Sequence, residues 1–250
     1  MTKIILVAVV LLLLGGGAYL FLRKGSNQGT APTTNQEGSG TSASFSNSKK
    51  AAHYESNTPE HGAILAGVPI NVVINFNFDL ANPSEIRISG TTSPSDVGSG
   101  DTVVDANKLS MRRAIRNDAP DGIYTVNYTA CWADGSCHDG QFQFKIDRSL
   151  VTEFEDLTGK DEVTINLKNF AFNPTKVKVS KGTKVIWVNQ DNIIHTVNTD
   201  SHPGHNYFPG QNSRDLSKGD TYSVTFDKEG IYPYHCTPHA DTMKGQVLVE

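Results

Sequence analysis

The stretch Tyr234-His235-Cys236-Thr237-Pro238-His239-Ala240-Asp241-Thr242-Met243-Lys244-Gly245 places a thiol, an imidazole and a thioether on one short loop between two predicted strands. A second imidazole follows Asn189-Gln190-Asp191-Asn192-Ile193-Ile194, at the end of another predicted strand. Two imidazoles, one thiolate and a weakly held thioether form the ligand set of a blue-copper electron-transfer site. We therefore predict one mononuclear copper, cycling between Cu(I) and Cu(II), with four ligands: His195, Cys236, His239 and Met243.

Short β-strands are predicted on both sides of these loops. Alternation of apolar and polar residues indicates strands with one buried face. Six such runs predict a β-sandwich over residues 160–250: Val163–Leu167, Lys176–Val179, Thr183–Asn189, Asp220–Phe226, Tyr232–Cys236 and Gln246–Val249. Four earlier runs predict another over residues 53–149: Ile70–Phe78, Glu85–Ser89, Ile123–Cys131 and Gln141–Ile146. The fold class is therefore all-β, with two tandem β-sandwich domains.

Two segments of the second sandwich carry a family resemblance. Trp187-Val188-Asn189, followed by His195-Thr196-Val197, and the segment Tyr234–His239 resemble the ligand segments of cupredoxins of the plastocyanin and amicyanin type. The resemblance covers residues 160–250 and implies a Greek-key sandwich around the copper. It also implies three equatorial ligands and one axial ligand, in this order: His195, Cys236, His239 and Met243.

The same resemblance implies roles for residues around the copper. Asn189 matches the family residue that ties the two ligand loops together by hydrogen bonding. In cupredoxins of this type the second histidine ligand, here His239, is nearest to solvent and sits in an apolar patch that docks redox partners. Adjacent residues of an extended segment face opposite ways, so at least one of Ile193 and Ile194 should face outward. We assign partner docking to Ile194 and Pro238.

The first sandwich carries a second resemblance. His53–Ala63 and Asp121–Tyr128 resemble the start and the late strands of the periplasmic copper-binding CopC family, over about residues 53–147. Members of that family can hold Cu(II) through an amino-terminal histidine, an aspartate and a further histidine. Here the first position is His53, inside the chain, and the later motif reads Asp134-Gly135-Ser136-Cys137-His138. Whether this domain binds copper is left open.

The three cysteines divide into a pair and a single thiol. Cys131 and Cys137 flank the turn 132–136, where they are either two reduced thiols or a disulfide across a tight hairpin. A disulfide requires an oxidising compartment. We expect the disulfide, because both family resemblances imply export, and Cys236 then stays free for copper.

Further histidines lie near the copper loops. His202 and His205 belong to the long loop after His195. They are either part of an extra metal site or exposed loop residues. We favour the second interpretation, because no thiolate or carboxylate pair accompanies them at metal-ligand spacing. His235 precedes Cys236 in an extended strand, so its side chain should point to the opposite face. We therefore do not count His235 as a copper ligand.

Residues 1–24 contain the uncharged run Ile4–Leu22. A helix of this length spans ~28 Å, about the thickness of the hydrocarbon core of a bilayer. The alternatives are a membrane anchor and a cleaved signal peptide, and the length of the run and the lack of a clear cleavage site favour the anchor. Residues 25–52, rich in Gly, Ser, Thr and Asn, are predicted to form a flexible linker. We expect a single-pass protein of the cell membrane, with its domains on the extracytoplasmic side.

The net charge of −4, from 22 basic and 26 acidic residues, argues against a protein that binds nucleic acid by neutralising phosphates. We expect a membrane-tethered carrier of single electrons that docks transiently to a redox partner protein and is not an enzyme. The rival interpretation is a protein of copper homeostasis, for resistance or delivery, without an electron-carrier role. A small copper enzyme would need an open coordination position or several coppers, which four ligands at one site disfavour.

Overall fold

The computed structural model describes residues 44–91 and 95–250. Within these ranges the regular structure consists of strands and two 3-10 helices, Arg148–Glu153 and Thr237–His239, which confirms the all-β class. The strands, in chain order, are β1 (Tyr54–Thr58), β2 (Ile64–Leu65), β3 (Val72–Phe76), β4 (Leu80–Gly90), β5 (Gly98–Val104), β6 (Ser110–Ile115), β7 (Gly122–Trp132), β8 (Cys137–Ile146), β9 (Glu155–Asp156), β10 (Glu162–Lys168), β11 (Ala171–Asn173), β12 (Lys176–Val179), β13 (Lys184–Asn189), β14 (Asn198–Thr199), β15 (Thr221–Thr225), β16 (Gly230–His235) and β17 (Lys244–Val249).

The first sandwich contains two four-stranded sheets, in the orders β1-β3-β6-β5 and β2-β8-β7-β4. Strands β7 and β8 form an antiparallel hairpin, and at its closed end Cys131 pairs with Cys137. The two cysteines are joined by a disulfide, as predicted, and Cys236 is a free, buried thiol. Alternate residues of β7 point into the core, as their spacing predicts: Tyr124, Val126 and Tyr128.

The second sandwich contains sheets in the orders β11-β10-β13-β15 and β14-β16-β17-β12-β9. Its core is aromatic, since the buried ring of Trp187 lies 5.4 Å from Tyr234 and 6.4 Å from Phe226, measured between centroids. Strands β13 and β16 belong to different sheets. The segments that follow them converge, because the N–H of Thr237 donates to the hydroxyl of Thr196 at 2.8 Å. This convergence places both predicted ligand loops at one end of the sandwich.

Strand β3 differs from its prediction. Alternation in Ile70–Phe78 predicts one buried face, yet all five residues of β3 are buried. Ile74 and Phe76 belong to the core of the first sandwich, whereas Val73 belongs to the core of the second. The outer face of β3 is therefore covered by the other domain, and a local pattern of alternation cannot reveal a partner that is distant in sequence.

The hydroxyl of Tyr207 links the two sandwiches. It accepts a hydrogen bond from the N–H of Ile70 at 2.8 Å and donates to the carbonyl of Ile231 at 2.7 Å, in a fully buried position. The backbones approach closely beside it at Gly230, which has a φ of 135°. A Cβ at Gly230 would lie 2.8 Å from the carbonyl oxygen of Val68, so the interface requires glycine there. The described residues of both sandwiches form one compact unit.

The end of the predicted linker 25–52 belongs instead to the first sandwich. Lys49 pairs with Gln141 through two backbone hydrogen bonds of 2.8 Å, and the N–H of Ala51 donates to the hydroxyl of Tyr128 at 3.2 Å. Strand β2 covers only the last residues of β8, so the edge of β8 near Gln141 offers free backbone groups to Lys49. The predicted anchor and linker residues 1–43 lie outside the described residues. Within the described ranges, no helix is long and apolar enough to cross a membrane.

Candidate metal centre

The first ligand segment leaves β13 at Asn189 and is fixed again at His195. The N–H of His195 donates to the carbonyl of Leu216 at 3.2 Å, and the N–H of Leu216 donates to the carbonyl of His195 at 2.9 Å. The His195 side chain is fully buried. A buried imidazole needs partners for its ring nitrogens, and those of His195 face Asp191 and Cys236.

The second ligand loop, between β16 and β17, is closed by its own backbone. The N–H of Cys236 donates to the carbonyl of Met243 at 3.0 Å, and the N–H of Met243 donates to the carbonyl of His239 at 2.9 Å. Within the intervening 3-10 helix, the N–H of His239 donates to the carbonyl of Cys236 at 2.8 Å. These bonds hold three of the predicted ligands on one short, cross-linked loop.

Three metal-donor atoms converge where the two loops meet. The Sγ atom of Cys236 lies 3.5 Å from Nδ1 of His195 and 3.4 Å from Nδ1 of His239. Two bonds of about 2.0–2.3 Å that meet on one ion at a tetrahedral angle would separate their donor atoms by ~3.5 Å. Met243 is 1% exposed and belongs to the same core as Cys236. The donor chemistry and the spacing therefore fit a copper ion.

The protonation of the thiol is set by its surroundings. Burial raises the pKa of Cys236, so its metal-free form is the neutral thiol at pH 7. Binding of a metal through the thiolate therefore requires the release of one proton, which makes metal affinity increase with pH.

Asp191, which no sequence motif indicated, orients His195, the first predicted ligand. Its Oδ2 atom lies 2.9 Å from Nε2 of His195, so the Nε2–H donates to the carboxylate while Nδ1 faces Cys236. The carboxylate also accepts the N–H groups of Asn169 at 2.9 Å and Phe170 at 3.1 Å. The bond from Asn169, followed by that from His195, lowers the pKa of Asp191 to about 2, so this group is ionised at neutral pH. Such carboxylate–imidazole pairs fix the tautomer of a metal-binding histidine.

Exposed apolar side chains lie on the two predicted ligand segments and beside His239. His239 is partly exposed, and the ring centroid of Phe170, a residue that is 54% exposed, lies 5.1 Å from that of His239. Ile193 and Ile194 are 38% and 48% exposed, and Pro238 is also exposed. Both isoleucines are exposed because they lie in an irregular bend rather than an extended strand, so strand alternation does not apply to them. Phe170 lies in a segment for which the sequence predicted no role.

The role predicted for Asn189 is performed by Thr196. The Nδ2 of Asn189 donates to the carbonyl of Ile193 at 2.8 Å and to a second backbone carbonyl at the same distance. Asn189 therefore braces the first ligand segment, and none of its hydrogen bonds among the described residues reaches the second loop. The hydroxyl of Thr196 instead accepts the N–H of Thr237 at 2.8 Å, and the N–H of Thr196 lies 3.4 Å from Sγ of Cys236. Thr196 directly follows a ligand, whereas Asn189 ends the preceding strand.

His235 faces away from the thiol of Cys236, as strand alternation predicts, and its Nδ1 lies 2.8 Å from Oδ1 of Asp200. The neighbouring loop brings His205 beside it, and burial together with the imidazoles of His235 and His202 lowers the pKa of His205 to about 4. The sequence predicts that His202 and His205 are exposed and lack a carboxylate partner. The structure agrees only for the exposure of His202. His205 is half-buried, and the carboxylate of Asp200 adjoins the group.

The first sandwich places its two matched histidines around one indole. The ring centroids of His53 and His138 lie 5.4 Å and 5.2 Å from that of Trp132. Within residues 44–91 and 95–250, groups of three converging metal donors occur only in the second sandwich. Asp134, the carboxylate of the matched motif, accepts the N–H of Ser136 at 2.9 Å and so belongs to the hairpin turn.

Comparison with known proteins agrees with this geometry. Residues 159–250 match the family model described as copper binding proteins of the plastocyanin/azurin family, and residues 54–147 match the CopC domain. The chain is 36% identical to halocyanin of Natronomonas pharaonis over 104 residues, which are 39% of this chain and 62% of halocyanin. It is 35% identical to amicyanin-alpha of Methylorubrum extorquens over 86 residues, 34% of this chain and 70% of that protein. It is 32% identical to amicyanin of Paracoccus versutus over 133 residues, 51% of this chain and 89% of that protein.

The fold, the converging donors and these similarities define a β-sandwich protein whose cofactor is copper. The chain belongs to the plastocyanin/azurin family of copper-binding proteins, with a CopC domain preceding its copper-binding sandwich. Both resemblances stated from the sequence are thereby confirmed.

Proposed function

We propose that this protein carries single electrons between redox partners through one copper held by His195, Cys236, His239 and Met243. The observation that carries the proposal is the convergence of Sγ of Cys236 with Nδ1 of His195 and Nδ1 of His239, at 3.5 Å and 3.4 Å. Copper bound by such a donor set supplies a one-electron couple whose potential depends on the axial ligand and on the surroundings of the sulfur.

The protein's own contribution is to hold these ligands in one arrangement. Asp191 fixes the ring of His195, and Thr196 joins the two loops through its hydroxyl and its N–H. The N–H of Thr196 points at the sulfur of Cys236 and favours its anionic form. Because these hydrogen bonds join the two ligand loops, the gain or loss of one electron at the copper would require little movement of the ligands.

The exposed surface around His239 is the proposed docking site. Phe170, Ile193, Ile194 and Pro238 supply exposed apolar surface near His239, which is partly exposed whereas His195 is fully buried. Transient redox complexes use small interfaces, and an apolar rim can release water on contact and separate quickly. An electron would then enter and leave through the imidazole of His239.

The match to the CopC domain supports a second candidate function, in which the protein binds copper for homeostasis and does not carry electrons. The two functions differ in what happens to the metal. An electron carrier retains copper through repeated oxidation and reduction, whereas a delivery protein releases copper to an acceptor.

The proposal includes an extracytoplasmic location and a membrane tether. The uncharged run Ile4–Leu22 supports the tether by its length and composition. The disulfide between Cys131 and Cys137 supports an oxidising compartment, where such bonds persist. Protease treatment of spheroplasts would test this, since only domains outside the cytoplasmic membrane would be digested.

The experiment that tests the function loads full-length protein with Cu(II) and records its visible spectrum. We expect an intense thiolate-to-copper band that Cys236→Ser abolishes, while the matched double variant Cys131→Ser/Cys137→Ser keeps it. Repeated electrochemical cycling with copper analysis then separates the two functions. Reversible cycling with full copper retention supports the carrier, and loss of copper on reduction supports homeostasis.

A further inference from the structure

A second group of metal donors lies on the other face of strand β16. His202 and His205 come from the loop after β14, and His235 is the last residue of β16. One nitrogen from each of the three rings lies within 4.8 Å of the other two. The Nε2 atoms of His205 and His235 are 3.1 Å apart. We name these three residues the imidazole cluster.

Hydrogen bonds present the cluster in a form ready to bind a cation. Oδ1 of Asp200 lies 2.8 Å from Nδ1 of His235, so that nitrogen carries the proton and the lone pair of Nε2 faces His205. Carboxylates that accept from the distal nitrogen of a histidine are the usual partners of metal-binding imidazoles. His235 is 2% exposed, so this orientation is enforced by packing as well.

The loop that carries His202 and His205 is held by the first sandwich. Asn75 donates to the hydroxyl of Ser201 at 2.7 Å and accepts from the side-chain amide of Asn206 at 2.7 Å. The two histidines therefore lie between anchored residues, rather than on a free surface loop. All three histidines belong to the second sandwich, and the first sandwich holds their loop in place.

We propose that His202, His205 and His235 form a second metal site, which takes a divalent ion and prefers Cu(II). Three imidazoles without a thiolate suit copper or zinc, and Cu(II) stands highest in the affinity order of first-row divalent ions. Two bonds of about 2.0 Å meeting near a right angle separate their nitrogens by ~3 Å, which agrees with the 3.1 Å between His205 and His235. A direct N–H···N hydrogen bond would explain that pair but not the convergence of His202.

The site has three protein ligands and one open side. A cleft of about 700 Å³ between the sandwiches is lined by Asp200, His202 and His235, together with Glu55 and Tyr54 from β1. Metal sites with three protein ligands and an accessible fourth position bind water or a small exogenous ligand there. The second site therefore differs in kind from the closed site at Cys236.

The two sites are joined by a single peptide unit, because His235 and Cys236 are consecutive residues with side chains on opposite faces of the chain. A metal at one site therefore changes the charge close to the other. Filling the second site should therefore shift the thiolate band, which a purely structural role for the histidines would not do.

Titration of the metal-free full-length protein with Cu(II) tests the proposal. We expect two bound equivalents, of which only one produces the thiolate band, and an electron paramagnetic resonance signal of nitrogen-coordinated copper for the other. His202→Asn and His205→Asn should each remove the second equivalent and keep the thiolate band. Asp200 is a positioning residue, and Asp200→Asn should weaken the second equivalent by roughly 10–100-fold.

His53→Asn is the matched control, because it removes a histidine that the first sandwich would use if that domain bound the second copper. Retention of the second equivalent in His53→Asn, with its loss in His205→Asn, supports the imidazole cluster. A total of one equivalent overturns the second site, as does a second equivalent that survives in both His202→Asn and His205→Asn. Absence of the thiolate band instead overturns the electron-carrier proposal and leaves the nitrogen-coordinated signal as a separate readout.

Discussion

Replacing Asp191 by asparagine tests the carboxylate that orients the first ligand. The two oxygens of Asp191 accept three N–H groups: Oδ1 that of Asn169, and Oδ2 those of Phe170 and His195. An asparagine side chain has one acceptor oxygen, and its NH₂ group cannot accept a hydrogen bond. Whichever way the amide is turned, at least one of the three donors is left without its partner.

The size of the effect follows from these contacts. Loss of the carboxylate partner of a metal-binding histidine lowers metal affinity by about 10–100-fold, which corresponds to about 1.4–2.7 kcal/mol. The N–H groups of Asn169 and Phe170 lie at an exposed turn and can bond to water, so they add little to this effect. We therefore expect Asp191→Asn to bind copper roughly 10–100-fold more weakly than the unaltered protein, while the thiolate band of the loaded variant persists.

The assay is competition for copper with a chelator of known affinity, followed through the thiolate band. Asp220→Asn is the matched control, because Asp220 accepts the N–H of Ser217 at 3.0 Å and pairs with Arg214 at 3.1 Å but contacts no histidine. Its copper affinity should remain unchanged. Equal affinities of the Asp191 and Asp220 variants would refute the orienting role of Asp191.

Three other outcomes are expected. Pro238→Glu should keep the thiolate band but slow electron transfer to the natural partner roughly tenfold in stopped-flow kinetics, because a carboxylate in an apolar interface must be desolvated; an unchanged rate would place docking elsewhere. Tyr207→Phe should lower the free energy of unfolding, measured with denaturant, by about 1–3 kcal/mol, because the buried N–H of Ile70 loses its acceptor; Tyr222→Phe, at a half-buried hydroxyl, should cost less. The pKa of Asp191 is about 2 against an ordinary 3.8, so its stabilisation is present above pH 4 and is lost as the pH falls towards 2; acid unfolding of metal-free Asp191→Asn should lack this component.

The sequence allowed prediction of the ligand set because spacing and residue type carry that information locally. Cys236, His239 and Met243 share one loop, and His195 follows a strand with clear alternation. The surroundings of these ligands were not predictable in the same way. Asp191 contacts both His195 and a distant turn, and its importance depends on how two separate segments fold together.

Phe170 illustrates the limit most directly. It lies in the left-handed region with a φ of 59°, which a large aromatic residue seldom adopts. The carboxylate of Asp191 holds that turn by accepting the N–H of Phe170 and that of Asn169 before it. A prediction from local preference would not place an aromatic ring there, so the rim of the metal centre is incomplete when only the sequence is used.

The strands likewise divide into those that the sequence predicts and those that it does not. The runs that became β7, β8, β12 and β13 alternate cleanly and were predicted within a few residues. Strands β5 and β6 received no prediction, because β5 contains two glycines and two adjacent arginines interrupt the apolar residues of β6. Arg113 of β6 pairs with Asp96 at 2.7 Å, a contact between residues far apart in sequence.

The shared burial of β3 affects how the protein can be taken apart. Val73 contributes to the core of the copper-binding sandwich, and Ile231 and Leu248 contribute to the core of the CopC domain. Separating the domains near residue 150 would expose an apolar surface on each half. It would also leave the backbone N–H of Ile70 without the hydroxyl of Tyr207 as its hydrogen-bond acceptor. We therefore expect one sharp melting transition for the pair, and aggregation of either half when it is made separately. For the same reason, a chimeric protein in which only one domain is exchanged would also need the residues with which that domain fills the core of the other.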